Sequence, residues 1–375
     1  MTMSFDLNAY LDELRPLINV DCGTYQTAGI AEVAAIMAAK YQAMGWSTKE
    51  IDCGKAGIGI EARNKPDAEH IDLMLVGHLD TVFPAGTAAA RPLSVDETNA
   101  YGPGVSDMKG GQLNMVYALR SLDKAVLDKL SICVCMNPDE ETGSGDSSEW
   151  LKSVALMARQ VLVAEPARVD GSLVKARKGV AQYKLTFKGK AAHAGNEPQN
   201  GYSAISEMAH WILAINALTD FETGTTLNVG IVNGGTGSNI VPDHASAIVD
   251  VRFWDNDEYT KVDQRIQALA KKAFIAGVST VIEREAYKPA MATSKKSEAL
   301  MAIVEQTGKE LGIEIKWQAV GGGSDANLTA SLGIPTIDGL GPIGGGLHSD
   351  AEWLQLDSIE PRIKLLAGII EKLAQ

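Results

Sequence analysis

The sequence contains little cysteine, no excess of positive charge and no long hydrophobic run. Its 375 residues include four cysteines, which form no C-x-x-C pair, and a disulfide scaffold of this length would carry more. Acidic residues number 47 against 34 lysines and arginines, so the formal net charge is -13. Nucleic acid and anionic membranes bind positive surfaces, and the charge balance therefore argues against both as the main partner.

No stretch approaches the roughly 18 consecutive apolar residues that are typical of a membrane span. The N-terminus lacks a basic segment followed by an apolar one, which a secretory signal would need. Together with the few cysteines, these features predict a cytoplasmic protein. The length of 375 residues exceeds one ordinary hydrophobic core, so two domains are expected.

Short apolar or alternating segments occupy much of the chain before residue 178. They are typical of strands, and helices are predicted between them at 112–122 and 147–157. Strands interleaved with helices favour an α/β fold with a mainly parallel sheet covered on both faces. The predicted strands lie at 46–52, 57–63, 71–77, 131–137 and 161–164.

The pattern changes between residues 178 and 287. Here the order is strand, helix, strand, strand, helix, strand, which is typical of a ferredoxin-like α+β unit with both helices on one face of a small sheet. The second of these helices is expected at 257–276. After residue 288 the first pattern resumes. We therefore predict a larger domain formed by 1–177 and 288–375, with an inserted domain at 178–287.

Side chains that can bind metals follow several of the predicted strands. His78 ends one strand, and Glu141 and Glu165 follow two others. Asp107 lies in a glycine-rich turn, and His348 lies near the C-terminus. Because the carboxyl ends of strands in an open α/β sheet converge on one crevice, we expect these five residues to form one site.

Two imidazoles and three carboxylates suit a pair of divalent ions of the zinc, cobalt or manganese kind. If one carboxylate bridges the ions, each ion receives one imidazole, one further carboxylate and a share of the bridge. Asp80, two residues after His78, would accept a hydrogen bond from that ring. Glu140 is a spare acid beside Glu141, suited to take a proton from the attacking water and pass it to the leaving amine.

Each residue alone also has an ordinary structural explanation. A strand-end histidine is most often a surface or a satisfied core residue, and Asp107 could form an Asx-turn. Glu140 and Glu141 could lie on a solvated face, and Glu165 could simply end its strand before a proline. The metal-site hypothesis is favoured because all of these residues occur together in one chain.

Four motifs contain these residues, and together they resemble the co-catalytic zinc peptidases of the aminoacylase and glutamate carboxypeptidase superfamily. The resemblance covers nearly the whole chain, and within the superfamily it is greatest to glutamate carboxypeptidases of the carboxypeptidase G type. The motifs are G-H-L-D-T-V at 77–82, S-D-M-K-G-G at 106–111, D-E-E-T-G-S at 139–144 and H-S-D at 348–350.

The resemblance implies a dinuclear centre with two Zn²⁺ ions, with Co²⁺ or Mn²⁺ as alternatives. Asp107 is expected to bridge the ions, Glu141 and His348 to complete one site, and His78 and Glu165 to complete the other.

In the same family pattern, Asp80 orients His78 and Glu140 is the general base. The resemblance further implies that the inserted domain is a lid through which a homodimer forms.

Motifs in the inserted domain gain a meaning from the same resemblance. His193, in K-A-A-H-A-G, matches the histidine that reaches the partner subunit's active site and stabilises the oxyanion. Asn239 matches a lid asparagine that contacts substrate, and Arg252 matches the arginine that binds the substrate's α-carboxylate. Gly323 belongs to a glycine run that would let the backbone approach the bound residue. Without the family context, these residues could be a hairpin histidine, a turn asparagine, a surface ion pair and a flexible loop.

The expected reaction is hydrolysis of the amide bond to a C-terminal amino acid, with glutamate as the candidate. Lys288 occupies a position where carboxypeptidase G-type relatives commonly have arginine, and lysine lacks the bidentate fork for a glutamate side chain. An N-acyl amino-acid deacylase, such as an aminoacylase or an acetylornithine deacetylase, is the alternative with the same metals. A binding protein that has lost the chemistry is a further alternative, but every matched catalytic position carries a competent residue.

Overall fold

A computed structural model describes residues 5–375 of the protein. The chain divides into two compact units. The first unit consists of the residues up to Lys175 together with Thr293–Val320 and Ser324–Gln375. The second unit consists of Ala176–Ala292 and the short glycine segment Gly321–Gly323. In sequence, the second unit is therefore an insertion in the first.

Helices of very different lengths occur in residues 5–375, and side-chain caps begin several of them. Asp6, Ser203 and Ser294 each accept a backbone N–H of the first turn, which otherwise lacks a partner. The helices are α1 (Leu7–Ile18), α2 (Thr27–Gln42), α3 (Thr87–Ala90), α4 (Gly111–Ser121), α5 (Lys124–Leu127), α6 (Ser148–Ala155), α7 (Ala204–Asn216), α8 (Asn256–Leu269), α9 (Lys295–Leu311), α10 (Ala326–Ser331) and α11 (Leu356–Leu373).

The strands of the same range form one six-stranded sheet, two four-stranded sheets and two two-stranded pairings. They are β1 (Ser47–Asp52), β2 (Ile58–Arg63), β3 (Leu73–His78), β4 (Ser94–Val95), β5 (Asn99–Tyr101), β6 (Ile132–Asn137), β7 (Val161–Val163), β8 (Leu173–Arg177), β9 (Gly179–Lys188), β10 (Ala192–His193), β11 (Thr226–Gly234), β12 (Ile240–Val241), β13 (His244–Phe253), β14 (Ser279–Lys288), β15 (Trp317–Val320), β16 (Thr336–Ile337), β17 (Gly344–Gly345) and β18 (Trp353–Gln355).

The main sheet of the first unit has the strand order β1-β2-β6-β3-β7-β16. The strands from β6 to β16 are parallel, whereas β1, β2 and β6 pair in antiparallel fashion. All residues of β3 and β6 are buried, as expected for central strands with both faces covered. The parallel strands β6, β3 and β7 bring their carboxyl ends to one edge, and that edge carries the candidate site.

Helices cover both faces of this sheet. On one face, a Cβ added to Gly77 of β3 would lie 3.2 Å from a Met115 side-chain atom of α4, so the helix packs closely on the strand. On the other face, the Trp150 ring of α6 lies against Gly59 of β2. The α/β class with a mainly parallel sheet flanked by helices is confirmed.

The second unit contains an antiparallel sheet with the order β11-β13-β9-β14. Alternate residues of β9 are buried, and Tyr183 and Phe187 lie in one hydrophobic cluster with Trp211 of α7 and Ile266 of α8. Both helices therefore cover the same face of the sheet. This is the predicted ferredoxin-like arrangement.

Within residues 5–375, none of the helices is both long enough and apolar enough to cross a lipid bilayer. The four cysteines, all of which lie in this range, are free and buried. The cytoplasmic location stays a prediction.

Candidate metal centre

His78 ends β3 and is 1% exposed. Its Nε2 atom lies 3.2 Å from Oδ1 of Asp107 and 3.7 Å from Oε1 of Glu165. Its Nδ1 atom lies 3.0 Å from the backbone carbonyl oxygen of Asp80, which can only accept a hydrogen bond. Nδ1 therefore carries a proton, and in the neutral ring Nε2 presents a lone pair to two carboxylate oxygens.

His348 faces the other oxygen of Asp107. Its Nε2 atom lies 3.3 Å from Oδ2 of Asp107 and 3.1 Å from Oε2 of Glu141. The side chain is 55% exposed, so this half of the cluster is open to solvent. The residue has a φ of 60°, a left-handed backbone conformation that residues other than glycine rarely adopt. The backbone at His348 is thus held in an uncommon conformation where the imidazole meets the carboxylates.

The donor atoms of this five-residue cluster fit two divalent ions that share Asp107. Two groups, His78 with Asp107 and Glu165, and Asp107 with Glu141 and His348, each place one donor atom per residue within 4.8 Å of one another. Two N or O ligands bound tetrahedrally at about 2.1 Å would lie about 3.4 Å apart, close to the separations of the imidazole nitrogens and carboxylate oxygens. A proton on Nε2 of either histidine would bond that nitrogen to one carboxylate oxygen. A divalent cation would bind all three donor atoms of a group.

The electrostatics of the cluster agree with this fit. Burial raises the pKa of Glu165 well above its usual value, and the nearby Asp107 adds to that shift. Burial likewise raises the pKa of Glu141. Contacts with Asp107 and Glu141 raise the pKa of His348 to about 10. Buried negative charge is therefore in excess here, and bound cations would offset it.

Asp80 connects His78 with the turn that carries the two adjacent glutamates. Its Oδ1 lies 3.3 Å from Nδ1 of His78, so the carbonyl of Asp80 is nearer to that nitrogen than the carboxylate. The carboxylate oxygens accept hydrogen bonds from the backbone N–H groups of Glu140 and Glu141 at 3.1 and 3.2 Å. Asp80 thus positions a histidine from β3 and a glutamate from the turn after β6 together.

Glu140 begins the single helical turn Glu140–Thr142 and is partly exposed. Burial is the largest cause that raises the pKa of Glu141 and of Glu165, and the negative charge of Glu140 adds to both shifts. Glu140 is thus electrostatically close to one carboxylate of each group. That is a position from which a base can serve a reaction at the cluster.

Asp107 lies in the turn Val105–Gly110, which Glu352 anchors. Glu352 is 1% exposed, and its carboxylate accepts hydrogen bonds of 2.9 Å from the N–H groups of Gly104, Ser106 and Asp107. Gly104 has a φ of 74°, which favours glycine. The shared carboxylate is therefore held by a residue 245 positions later in the chain.

The sequence profile of one protein family, described as Peptidase family M20/M25/M40, matches residues 74–372. This span covers most of the chain and contains all five residues of the cluster. The chain belongs to peptidase family M20/M25/M40. It is accordingly a metal-dependent hydrolase of the metallo-exopeptidase and aminoacylase type.

Relatives of this M20 chain differ in their named activities. It is 31% identical to carboxypeptidase G2 of Pseudomonas sp. (strain RS-16), over 96% of this chain and 88% of the relative. It is 26% identical to succinyl-diaminopimelate desuccinylase of Delftia acidovorans, over 92% and 93% of the two chains. The crystal structure of aminopeptidase PepT from Bacillus cereus ATCC 10987 superimposes with a TM-score of 0.79 at 23% identity, covering 99% of each chain, and supports the fold.

Three residues that hold parts of the five-residue cluster in place were not indicated by the sequence patterns. Thr24 donates a hydrogen bond of 2.6 Å to Oδ2 of Asp80, and Gln112 of α4 donates one to the carbonyl of His78. Glu352 holds the Asp107 turn. Only Glu352 had a local signal, because it lies four residues after His348.

In the second unit, His193 and Asn239 lie side by side. β10 and β12 pair so that His193 is opposite Ile240, and the Ala194 N–H donates to the carbonyl of Asn239 at 2.9 Å. Nδ1 of His193 accepts hydrogen bonds of 3.1 Å from the N–H groups of Gly195 and Asn196. Nε2 is therefore the nitrogen that carries the proton and can donate it in a hydrogen bond. Both His193 and Asn239 are exposed.

Arg252 and Lys288 lie at the opposite end of the sheet of the second unit. Both pair with Val180 of the central strand β9, from either side, so their side chains leave the same face. Arg252 forms a two-pronged ion pair with Asp250 at 2.9 and 3.0 Å, so part of its fork is already engaged.

Gly323 also belongs to the second unit. Its segment is joined to that unit by Arg177, whose Nη1 donates to the carbonyl of Gly322 at 3.1 Å. Arg177 itself exchanges backbone hydrogen bonds with Met291, three residues after Lys288. The predicted substrate-binding residues therefore form two groups within this unit, His193 with Asn239 and Arg252 with Lys288 and the glycine segment.

Proposed function

We propose that the protein is a dinuclear zinc exopeptidase that hydrolyses the amide bond to a C-terminal amino acid in small peptides or N-acyl amino acids. The observation that carries this proposal is the position of Asp107, each of whose oxygens faces a different imidazole, at 3.2 and 3.3 Å. A carboxylate so placed is suited to bridge two ions. His78 and Glu165 would hold one ion, and Glu141 and His348 would hold the other.

Two bound divalent ions would polarise the scissile carbonyl and lower the pKa of the attacking water. Glu140 takes the proton from that water as the oxygen bonds to the carbonyl carbon. The carbon–nitrogen bond then breaks, and Glu140 delivers the proton to the departing amine. Asp80 keeps the proton of His78 on Nδ1, so that Nε2 stays available as a ligand.

We assign the oxyanion contact to His193, acting on the active site of a partner subunit in a homodimer. Its Nδ1 is occupied by two backbone N–H groups, so its exposed Nε2 is a hydrogen-bond donor. β13 runs from His244, near Asn239, to Phe253, next to Arg252. Nine strand steps at about 3.3 Å span about 30 Å, so one small substrate cannot contact both ends. This separation supports a dimer in which each site takes His193 and Asn239 from one chain and Arg252 from the other.

The substrate class follows from the cations at the Arg252 end. Arg252 would bind the α-carboxylate, and Lys288, on the same face, would bind an acidic side chain such as that of glutamate. The similarity to carboxypeptidase G2 supports this assignment. Two cations on one face of a protein with a net charge of -13 favour an anionic substrate.

An N-acyl amino-acid deacylase is the second candidate. The 26% identity to a succinyl-diaminopimelate desuccinylase over 92% of this chain supports it. Both reactions release an amine with a carboxylate, so the same metal site serves them. The difference lies in the acyl pocket.

A comparison of two glutamate variants tests the proposed base. Glu140→Gln keeps the size of the side chain but removes the proton acceptor, so turnover should fall by about 10³-fold or more with unchanged metal content. Glu149→Gln changes a glutamate on α6 that is 86% exposed and paired with Lys152, and serves as the matched control. Turnover of Glu140→Gln within a few-fold of the wild type would overturn the assignment.

A substrate panel separates the two candidate functions. The zinc-loaded protein would be assayed with dipeptides ending in glutamate, with benzoyl-glutamate and with N-acetyl and N-succinyl amino acids. A carboxypeptidase should favour the glutamate amides, and a deacylase should favour the N-acetyl or N-succinyl compounds. Release of a free amino acid from none of them would contradict both assignments.

A further inference from the structure

A second cluster of potential ligands lies within the first unit and shares no residue with the five-residue cluster. Cys133 and Cys135 are two positions apart in β6, so their side chains leave the same face of the sheet. Both are 0% exposed, and their sulfur atoms lie 3.7 Å apart. On the neighbouring strand β2, Glu61 pairs with Cys135 and Arg63 pairs with Cys133. Two thiols, a carboxylate and a guanidinium thus meet on one face.

The spacing of these groups matches that of metal ligands. Cys133, Cys135 and Glu61 each offer one donor atom, and these atoms lie within 4.8 Å of one another. Two thiolates bound tetrahedrally to zinc at about 2.3 Å would lie about 3.8 Å apart. The sulfur atoms are already at that separation. A disulfide would need them at about 2.05 Å, so a shared ion requires less movement than a covalent bond.

The carboxylate of Glu61 is oriented by two neighbours. Nε of Arg63 donates to Oε1 at 2.8 Å, and Nε1 of Trp150 donates to Oε2 at 3.1 Å. Such outer contacts fix the direction of carboxylates that bind metals. The side chains of Glu61 and Arg63 are 13% and 15% exposed, so the cluster has an edge through which an ion can enter.

We propose that Cys133, Cys135 and Glu61 form a binding site for a soft divalent ion such as Zn²⁺ or Cd²⁺. Binding replaces the two thiol protons, which pass to solvent, with one ion. The two thiolates and Glu61 then carry three negative charges, and the ion and Arg63 carry three positive ones. The sum is zero, which is the condition under which charges are tolerated in a protein interior.

The protonated state of the cluster without an ion agrees with this balance. Burial raises the pKa of the Cys135 thiol well above its usual value, and the adjacent Cys133 adds to the shift. The Cys135 thiol therefore stays neutral until a cation displaces its proton. Two thiolate ligands favour a soft ion such as Cd²⁺ more strongly than the imidazole and carboxylate ligands of the five-residue cluster do.

Cadmium titration of the full-length protein, after removal of bound metal by a chelator, tests the site. The wild type should develop the ultraviolet absorption of cadmium–thiolate charge transfer and release about two protons for the ion that causes it. The double variant with Cys133→Ser and Cys135→Ser should lack this absorption and bind about one Cd²⁺ fewer per chain. Cys53→Ser, which changes another buried cysteine, should behave as the wild type. Absence of the absorption in the wild type, or its persistence in the double variant, would overturn the proposal.

A second measurement needs no variant. With Cd²⁺ bound, alkylation of Cys133 and Cys135 should slow by about tenfold or more, because their sulfur lone pairs are engaged. The rates at Cys22 and Cys53 should not change. Mass spectrometry of the alkylated peptides separates the four positions. Equal rates at Cys133 and Cys135 with and without Cd²⁺ would count against the site even if the double variant failed to fold.

Discussion

The hydroxyl of Thr24 donates a hydrogen bond of 2.6 Å to the Asp80 carboxylate, 56 residues later in the chain. The same carboxylate accepts the N–H groups of Glu140 and Glu141 and lies beside His78. Thr24 therefore helps to fix Asp80. This hydrogen bond does not involve any of the five candidate ligands, so Thr24 acts on them through Asp80.

Thr24→Val should lower kcat by about tenfold, because residues that orient metal-site groups typically have effects of this size. Valine keeps the shape of threonine but removes the donor, so KM should change little. Steady-state kinetics on the zinc-loaded enzyme would measure both constants. Thr24→Ser retains the hydroxyl and should restore most of kcat. Equal losses in the valine and serine variants would indicate a packing role instead.

Two ligand variants should differ in metal stoichiometry. Asp107→Asn removes the charge that both groups share, so after dialysis the protein should hold about two ions fewer per chain than the wild type. His348→Ala affects one group only and should hold about one ion fewer than the wild type. Elemental analysis after dialysis measures the content, and His70→Ala, at an exposed loop position, is the control. An Asp107→Asn protein with the metal content of the wild type would exclude the bridging role.

Mixed dimers test whether His193 acts on the partner subunit. His193→Ala and Glu140→Gln should each be nearly inactive alone. In the proposed homodimer, unfolding and refolding of an equal mixture would make half of the dimers mixed, each with one complete site, so activity should return to about one quarter of the wild type. If His193 served its own chain, the mixture would stay inactive. Refolded single variants are the controls.

The acid stability of the first unit should depend on Glu13. Burial alone would raise its pKa, but hydrogen bonds from Lys40, Arg120 and Tyr117 outweigh burial and lower the pKa from 4.5. A lowered carboxyl pKa means that the folded state favours the ionised form. Its contribution is therefore present above pH 4.5 and is lost as the pH falls through the folded pKa.

Glu13→Gln should accordingly reduce the free energy of unfolding at pH 7 by about 1 kcal/mol. The difference from the wild type should shrink as the pH falls below about 4.5. Urea denaturation at several pH values would measure it. Glu50→Gln, at an exposed position on β1, is the control. A difference that grows at low pH would have the wrong sign for this explanation.

The central strands were predictable because their apolar runs are local features. The predicted strand at 131–137 corresponds to Ile132–Asn137, and the predicted segment 71–77 to Leu73–His78. The antiparallel pairing of β1 with β2 was not predictable, because strand direction depends on partners rather than on composition.

A helix predicted at 257–276 ends at Leu269 instead. The reason is a contact that is distant in sequence. The N–H groups of Phe274 and Ile275 donate to the buried carboxylate of Glu207 in α7, at 3.2 and 2.6 Å. These residues leave the helical path because a buried carboxylate needs partners. No periodicity within 257–276 contains that information.

The candidate site likewise contains residues that could be predicted from the sequence and residues that could not. His78, Asp107, Glu141 and Glu165 follow strands or lie in a glycine-rich turn, so their types and positions can be recognised in the sequence. Thr24 and Gln112 act through single hydrogen bonds to residues 56 and 34 positions away, and polar residues of their kind occur throughout the chain. Only the folded chain distinguishes them from ordinary surface residues.

The anchoring of the Asp107 turn by Glu352 also has a consequence for biosynthesis. A ribosome produces the N-terminal side of the chain first, at about 5–20 residues per second. The turn at 104–107 thus leaves the ribosome well before the carboxylate that holds it, as does most of the sheet. His348 emerges equally late. The candidate metal centre is therefore completed only once residue 352 has been synthesised, and a shorter nascent chain lacks His348 and the carboxylate that holds the Asp107 turn.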